Sequence, residues 1–183
     1  MKTDLIKYDN SWYNPGGALK RILWLIISSF FFKHSLALFP SLKCFLLRLF
    51  GAKIGVRVNI KPAVTIKYPW FLEIGNDCWI GENVWIDNLA KISMGDNVCL
   101  SQGAMLLTGN HNYKKATFDL ITGPIRLEDG VWIGAQAVVC PGVICGSHSV
   151  LTVGSILTRD MESYFIYQGN PAVKIKERVI TQL

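Results

Sequence analysis

Three histidines are the residues of this 183-residue sequence whose type allows proton transfer near neutral pH. His34 follows an apolar run and His148 lies between two serines, whereas His111 lies in the polar stretch TGNHNYKK. An accessible neutral imidazole can take the proton of a hydroxyl group as that group attacks a carbonyl carbon. His111 is therefore the candidate general base.

Five cysteines offer the alternative of a thiol nucleophile that carries the transferred group covalently. Their number is odd and they show no metal-finger spacing, so we expect reduced thiols in a cytoplasmic protein. Cys44, Cys78, Cys99 and Cys145 lie in apolar segments, and a buried thiol has a raised pKa and forms little thiolate. Cys140 is the thiol that stays a candidate nucleophile.

A six-residue repeat of apolar side chains runs through most of the sequence and must position these groups. Six matches neither the 3.6-residue period of a helix nor the two-residue period of one long strand, so the chain turns a corner every six residues. Three sides close one triangular coil, and fifteen repeat positions make about five coils of a mainly β, parallel β-helix. The positions are Ile54, Ile60, Ile66, Ile74, Ile80, Ile86, Met94, Leu100, Leu106, Leu127, Ile133, Val139, Cys145, Leu151 and Leu157.

The repeat breaks between the third and fourth coils, at residues 108–124, and this polar segment contains His111. It is too long to be a turn, and we expect an excursion loop that leaves the prism. The chain then divides into an N-terminal helical cap (1–50), the β-helix (51–160) and a short C-terminal segment (161–183). In that segment the sequence predicts a tight turn at Pro171, with a cis peptide bond as one option.

Residues 19–51 are strongly apolar, but Lys33 and Pro40 divide them into runs too short to span a bilayer. Two interpretations stay open: short helices that cover the open end of the β-helix, or an interfacial helix that makes peripheral contact with the inner face of a membrane. Basic residues would assist the second: Lys20, Arg21, Lys33, Lys43 and Arg48. The first residues lack the pattern of a signal peptide.

The formal charge of +6 and the isoelectric point near 9.1 favour an anionic partner. The partner could be nucleic acid, a membrane surface or a phosphorylated cofactor. The sequence carries no nucleic-acid-binding module, and its basic residues are scattered. We therefore expect no nucleic-acid partner.

Two stretches, VWIGAQAVVCPGVICGSHSVLTVGSILTRD (131–160) and YQGNPAVKIKER (167–178), resemble the C-terminal half of the hexapeptide-repeat acyltransferases. The rest of the chain is similar to the WcaF-type colanic acid acetyltransferases of that family. The resemblance implies a left-handed β-helix, a homotrimer, and acetyl-CoA bound in the groove between neighbouring prisms. The chain departs from the family pattern at residues 152–155, where TVGS replaces GAGS, and at Cys145 and Arg159.

The resemblance also assigns roles to residues of this sequence. It implies that His111 is the catalytic base, that Trp132 shields the acetyl group, and that the N–H of Ala135 stabilises the oxyanion. The remaining residues expected to bind the cofactor are Gly134, Val153, Gly154 and Ser155 along the pantetheine arm, with Arg159, Lys174 and Arg178 at the phosphates and adenine. Each of these cations could equally be a solvated surface charge.

The acceptor should lie across the cleft from His111. Asp87 and Asn88 are candidates to bind sugar hydroxyls, although such a pair could equally form a coil corner. Tyr113 is a candidate for sugar stacking, and Phe118 either shares that role or anchors the loop.

We therefore predict an acetyl-CoA-dependent O-acetyltransferase that acts on a sugar or lipid-linked oligosaccharide in exopolysaccharide biosynthesis, by direct transfer. The alternatives are an N-acetyltransferase acting on an amino sugar or an amine-bearing antibiotic, and a non-catalytic β-helix scaffold. The γ-class carbonic anhydrases share this fold but need converging histidines, including a pair close in sequence. The sequence has no such pair, so no metal site is predicted.

Overall fold

The computed structural model describes residues 2–34 and 39–181, and these residues are mainly β. Two helices, α1 (Ala18–Phe31) and α2 (Pro40–Leu49), precede the strands, and single 3₁₀ turns lie at Leu5–Lys7 and Pro69–Phe71. The first three coils contain β1 (Lys53–Ile54), β2 (Asn59–Ile60), β3 (Thr65–Ile66), β4 (Leu72–Ile74), β5 (Trp79–Ile80), β6 (Trp85–Asp87), β7 (Ile92–Met94), β8 (Cys99–Leu100) and β9 (Met105–Leu107). The remaining strands are β10 (Gly109–His111), β11 (Leu120–Thr122), β12 (Ile125–Leu127), β13 (Trp132–Ile133), β14 (Val138–Val139), β15 (Ile144–Cys145), β16 (Val150–Leu151), β17 (Ile156–Leu157), β18 (Phe165–Gly169) and β19 (Ala172–Glu177).

Three parallel sheets form the sides of a triangular prism. The first side has the order β1-β4-β7-β12-β15, the second β2-β5-β8-β13-β16-β18, and the third β3-β6-β9-β14-β17. Each coil contributes one strand to each side, which gives five complete coils. A sixth begins where Met161 bridges Cys145 and β18 pairs with β16. The predicted left-handed parallel β-helix is confirmed.

The repeat positions form the core of the prism. Fourteen of the fifteen are buried, and Ile54 in the first coil is half-buried. The residue two positions earlier also points inward, as in Val84 before Ile86 and Val98 before Leu100, because alternate residues of a strand share a face. Each side therefore contributes two inward side chains per coil to one continuous core, and all are apolar except Ser149 and Ser155 in the fifth coil.

The N-terminal end of the prism has backbone carbonyls without a strand partner. The N–H groups of each coil donate to carbonyls of the next, as Gly55 N does to Ile74 O at 2.8 Å, so strand carbonyls of the first coil such as those of Ile60 and Ile66 face outward along the axis. Trp24 Nε1 donates to Ile66 O at 2.8 Å, and Arg48 donates to the carbonyls of Ile54 and Gly55. Side chains of α1 and α2 thus cap the open end.

Lys43 completes this cap from a buried position. Its Nζ donates to Ile60 O at 3.2 Å and to Lys61 O at 2.6 Å, and the residue is 1 % exposed. Burial lowers the pKa of Lys43 to about 8. The expected helical cap is therefore present, although its residues 35–38 lie outside the described part of the chain.

The excursion at 108–124 is more regular than a loop. β10 and β11 pair antiparallel, with His111 opposite Leu120, so a β-hairpin leaves the prism after β9. At the C terminus β18 and β19 form a second hairpin around a cis Asn170–Pro171 peptide bond. Within the described residues, no helix has the length and apolar character needed to cross a membrane.

Candidate active site

His111 is held in one orientation by Phe118, across the hairpin. The Nδ1 atom of His111 lies 3.0 Å from the backbone carbonyl oxygen of Phe118, and the two rings stack at 4.5 Å with planes 7° apart. A carbonyl oxygen can only accept a hydrogen bond, so Nδ1 of the neutral ring carries the proton. Nε2 then keeps its lone pair, which is the tautomer that a general base needs. Phe118 anchors this ring.

The N-terminal segment forms the wall opposite His111. Asp4 N donates to Ala116 O at 2.8 Å, and the Tyr13 hydroxyl donates to Leu89 O at 2.8 Å, which ties the segment to the hairpin and to the prism. The Tyr8 ring lies 5.8 Å from the His111 ring. The cleft between them has a volume of about 480 Å³ and is lined by Tyr8, Asn10, Tyr13, Pro15, Arg21, Lys67, Tyr68, Leu89, His111 and Leu120.

Asp87 lies at the same edge of the prism, one coil below the hairpin. Thr108, which precedes the hairpin, donates its hydroxyl to Asp87 O at 2.9 Å. Lys67 Nζ forms an ion pair with Asp87 Oδ1 at 2.9 Å, and this buried oxygen makes no hydrogen bond among the described residues. Arg21 and Lys67 line both the His111 cleft and the adjoining cleft that contains Asp87. A polar ligand could therefore contact both carboxylate and imidazole.

Tyr13 stays protonated at neutral pH and does not serve as a base in this cleft. Burial raises the pKa of its phenol, and Tyr68 and the Asp87 carboxylate raise it further. Its hydroxyl stays protonated and holds the N-terminal segment through Leu89. Tyr13 is thus a structural part of the wall.

Asn88 and Tyr113 lie outside the cleft that the structure forms around His111. Asn88 is fully buried; its Oδ1 accepts from the N–H groups of Lys67 and Tyr68, and its Nδ2 donates to Tyr68 O at 2.6 Å. These contacts correspond to the coil-corner interpretation of Asn88. Tyr113 is an exposed side chain in the hairpin turn.

The residues expected to hold the acetyl and pantetheine end of the donor lie on a different edge, between the second and third sides, whereas Arg159 follows β17 at the edge between the third and first sides. Trp132 is partly exposed on β13, and its Nε1 donates to Ser101 Oγ at 2.9 Å. A Cβ atom at Gly134 would lie 2.6 Å from Val153 N, so glycine permits the close approach of two coils there. Val153 is exposed and Gly154 has φ +66°, with open space around it. This edge offers a flat strip of backbone.

The oxyanion candidate is the N–H of Ala135 at this edge. The Ala135 carbonyl accepts from Gly154 N at 2.9 Å, while no hydrogen bond among the described residues uses the Ala135 N–H. Glu82 and Gln102 hold the same corner position in earlier coils and also leave their N–H groups unused. The free donor is therefore a property of this corner and recurs along the edge.

Ser155, Lys174 and Arg178 bind groups of the same chain, whereas Arg159 does not pair with an acidic residue among those described. Ser155 is buried, and its Oγ accepts from Gly169 N at 3.0 Å. Lys174 pairs with Glu162 at 2.8 Å, and Arg178 donates to the carbonyls of Gly130 and His148. These contacts fasten the C-terminal hairpin to the prism. The exposed Arg159 has no ion pair among the described residues.

The thiols do not offer an activated nucleophile. Burial raises the pKa of Cys140, the remaining candidate, and raises the pKa of Cys78 to about 11. A raised pKa leaves little thiolate at neutral pH. The described residues also contain no group of three or more His, Cys, Asp or Glu side chains that could hold a metal ion.

The N-terminal wall of the cleft is not predicted from the sequence. Tyr8, Tyr13 and Arg21 lie before the repeat begins, and no spacing relates them to His111.

In one chain, the His111 hairpin leaves the edge between the third and first sides, whereas Ala135 and Gly154 lie on the edge between the second and third. A whole side of the prism separates the base from the expected donor groove.

Comparisons with known proteins agree with this architecture. A family model described as the hexapeptide repeat of succinyl-transferase matches residues 124–159. The chain is 36% identical over 170 residues to a protein of Escherichia coli (strain K12) named as the colanic acid biosynthesis acetyltransferase WcaF, which covers 93% of each chain. It is 30% identical over 129 residues to the galactoside O-acetyltransferase of the same organism, which covers 69% of this chain and 64% of that relative.

Solved structures show the same fold. The hexapeptide-repeat acetyltransferase VCA0836 from Vibrio cholerae O1 biovar eltor, complexed with acetyl coenzyme A, superposes with a TM-score of 0.81 at 23% identity, over 91% of this chain and 93% of that one. A galactoside acetyltransferase in complex with coenzyme A superposes with a TM-score of 0.76 at 27% identity, over 87% and 80%.

Proposed function

Because the chain belongs to the hexapeptide-repeat acetyltransferases and is an acyltransferase that uses acetyl-CoA, we propose that it acetylates a sugar hydroxyl with His111 as the general base. The observation that carries this proposal is the hydrogen bond between His111 Nδ1 and Phe118 O. That bond leaves Nε2 free to act as the base. The named relatives that acetylate galactosides and function in colanic acid synthesis support a sugar as the acceptor class.

The proposed reaction is a direct transfer. His111 Nε2 accepts the proton of the sugar hydroxyl while its oxygen bonds to the thioester carbonyl carbon of the donor. The N–H of Ala135 stabilises the negative charge on the carbonyl oxygen. As the carbon–sulfur bond breaks, the protonated imidazole returns its proton to the departing thiolate of coenzyme A. The raised pKa of Cys140 argues against an acetyl-enzyme.

The donor should lie along the edge formed by Gly134, Val153 and Gly154. Its pantetheine arm needs a narrow strip of backbone donors and acceptors beside apolar contacts, and the exposed Val153 and partly exposed Trp132 provide the latter. Arg159 is the cation available for the phosphates, because Lys174 and Arg178 already bind groups of the same chain. It lies at the same prism edge as the His111 hairpin, so it would reach a donor bound on the neighbouring subunit.

We propose a homotrimer with three shared sites. His111 and the donor edge lie on different edges of one prism, so the hairpin of one subunit would reach the donor edge of its neighbour. Mixed trimers test this arrangement. Subunits carrying His111→Asn and subunits carrying a change at the exposed donor edge, Val153→Trp, should each be inactive and should regain activity when co-assembled.

Asp87 is the proposed acceptor-binding carboxylate. Its Oδ1 is buried in an ion pair with Lys67 and makes no hydrogen bond among the described residues, so a sugar hydroxyl that displaces Lys67 can donate to it. We also propose a cytoplasmic location, because reduced cysteines are typical of that compartment.

The experiment that tests the function is a thiol-release assay with acetyl-CoA and a panel of sugars and amino sugars. Mass spectrometry of the product, before and after mild alkali, separates O-acetyl from N-acetyl groups. We expect an alkali-labile O-acetyl sugar. An alkali-stable amide would establish the N-acetyltransferase alternative, and the absence of both acetyl-CoA binding and thiol release would favour the scaffold.

A further inference from the structure

The two N-terminal helices carry an apolar face that packs on nothing within the described chain. On α1 the residues Leu19, Ile22, Leu23, Ile26 and Phe30 are between 45 and 74% exposed. Their spacing places them on a single stripe of the helix, because successive residues are about 100° apart. The opposite face of α1 packs on the prism through Trp24 and Ser28.

α2 shows the same division into two faces. Lys43, Cys44 and Leu47 are buried against the first coil, whereas Leu42, Phe45 and Leu49 are exposed. Both outward faces are apolar, although a helix that faces water normally carries polar residues there. We call these eight exposed side chains on α1 and α2 the outer stripe.

Cations lie beside the outer stripe. Lys20, in the first turn of α1, and Lys33, just beyond its end, are exposed; Arg21 is also exposed but lies nearly opposite the stripe, on the face that lines the clefts. Lys20 Nζ lies 4.5 Å from the Trp70 ring, on the side of the helix that faces the prism. An apolar stripe flanked by basic residues complements a lipid surface with anionic headgroups.

We propose that the outer stripe docks on an anionic membrane surface, with the helices in the plane of the interface. Fourteen residues of α1 extend about 21 Å, which is shorter than the hydrocarbon core. The helix therefore lies on the membrane without crossing it.

A second copy of the chain is the competing occupant. In the proposed trimer, neighbouring copies contact each other through the sides and long edges of the prism, where the His111 hairpin and the donor edge lie. α2 instead covers the end of the prism, because Lys43 and Arg48 donate to carbonyls of the first coil. A neighbour beside the prism leaves the outward face of α2 uncovered, which favours the membrane.

The docking surface adjoins the proposed catalytic cleft. Arg21 belongs to α1 and also lines the cleft with His111, so one helix contributes to both. The Arg21 guanidinium makes no ion pair among the described residues. This step rests on the proposed acetyl transfer. The acceptor would then be a sugar carried by a lipid phosphate, and docking would bring the cleft to the membrane surface where that sugar lies.

Vesicle co-sedimentation of the full-length protein tests the docking. We expect binding to phosphatidylcholine vesicles that contain phosphatidylglycerol, and weaker binding as the ionic strength rises. The variant Ile22→Gln/Ile26→Gln/Phe30→Gln should weaken binding by about a hundredfold, because three apolar side chains no longer enter the lipid. Lys20→Gln and Lys33→Gln should each weaken it about fivefold.

The matched control is Val173→Gln/Val179→Gln/Ile180→Gln, which changes three exposed apolar residues of the C-terminal segment. This control should bind vesicles as the unaltered protein does. Thermal melts and analytical ultracentrifugation confirm that all variants keep their fold and assembly.

Two results would overturn the proposal: no sedimentation with any vesicle, or a smaller assembly of the outer-stripe variant with unchanged vesicle binding. The second would make the stripe an interface between copies. Thiol release with a soluble acceptor and no vesicles tests the acetyl transfer separately, because it needs no membrane. Failure of docking with this activity intact therefore leaves the enzyme assignment standing.

Discussion

Replacement of Lys43 by methionine changes how stability depends on pH, because burial lowers the pKa of Lys43 to about 8. An unfolded lysine titrates near 10.4. Between these values the unfolded chain binds a proton that the folded chain has lost, so the contribution of Lys43 to stability rises with pH. Below pH 8 both states are protonated, and the cost of burying the charge is constant.

The expected size of this effect follows from the pKa difference. A shift of roughly two units corresponds to about 3 kcal/mol, at 1.36 kcal/mol per unit. The free energy of unfolding of the unaltered protein, minus that of Lys43→Met, should therefore increase by about 3 kcal/mol from pH 7.5 to pH 10.5. At pH 7.5 methionine avoids the cost of burying a charge but loses the two hydrogen bonds to Ile60 and Lys61, so the change of the difference with pH is the quantity that tests the shifted pKa.

Urea unfolding at a fixed protein concentration, followed across this pH range, measures the difference. The raised pKa values of Cys44, Cys78 and Cys145 lower the stability of both proteins above about pH 9, so the difference between them is the informative quantity. Lys53→Met is the control, because Lys53 is an exposed partner of Glu73. A difference that stays flat with pH would refute the buried-cation account of the cap.

Three further predictions concern the site. Asp87→Asn should lower kcat/KM for the sugar by roughly ten- to a hundredfold and leave the KM for acetyl-CoA unchanged, because a charged hydrogen bond contributes about 1.5–3 kcal/mol. An equal fall in kcat/KM for the sugar and for acetyl-CoA would contradict its role. Gly134→Ala should lower both the melting temperature and acetyl-CoA affinity measured by calorimetry, because its Cβ would lie 2.6 Å from Val153 N; an unchanged affinity would remove the donor from this edge. Cys140→Ala should keep at least about half of the activity in the thiol-release assay, and an inactive, folded variant would restore the covalent route.

The prism could be predicted from the sequence because its physical cause is local and periodic. An apolar side chain recurs every six residues, apart from two eight-residue steps and the break after Leu106, and this spacing specifies both the corners and the inward face. The same reasoning predicted the break that contains His111. The repeat does not predict the antiparallel pairing within that break. It also does not predict the hydrogen bond of His111 to Phe118, because both depend on contacts outside the periodic pattern.

The wall opposite His111 could not be predicted for the same reason. Tyr13 reaches Leu89 across 76 residues, and Tyr8 approaches His111 without any spacing that marks it. The type of a residue also does not show whether its side chain points into the prism or out towards a ligand. Asn88 and Ser155 have suitable groups for ligand binding, yet the structure turns both side chains inward, where they bind backbone.

For the cap, the sequence predicts that helices cover the open end of the prism, but it does not predict which side chains bind the carbonyls there. An open end of stacked strands must be covered, so helices there were expected. Which side chains reach the carbonyls depends on the packing of α1 and α2. Trp24, Lys43 and Arg48 are the donors that do so.

The most direct test of the central claim is the steady-state rate of His111→Asn, compared with His148→Asn. Asparagine suits the control position, because His148 has φ +58° and asparagine tolerates that region. We predict that kcat/KM of His111→Asn falls by roughly 10² to 10⁴ with acetyl-CoA affinity unchanged, while His148→Asn stays active. A His111→Asn protein that retains its rate would contradict the assignment of His111 as the base.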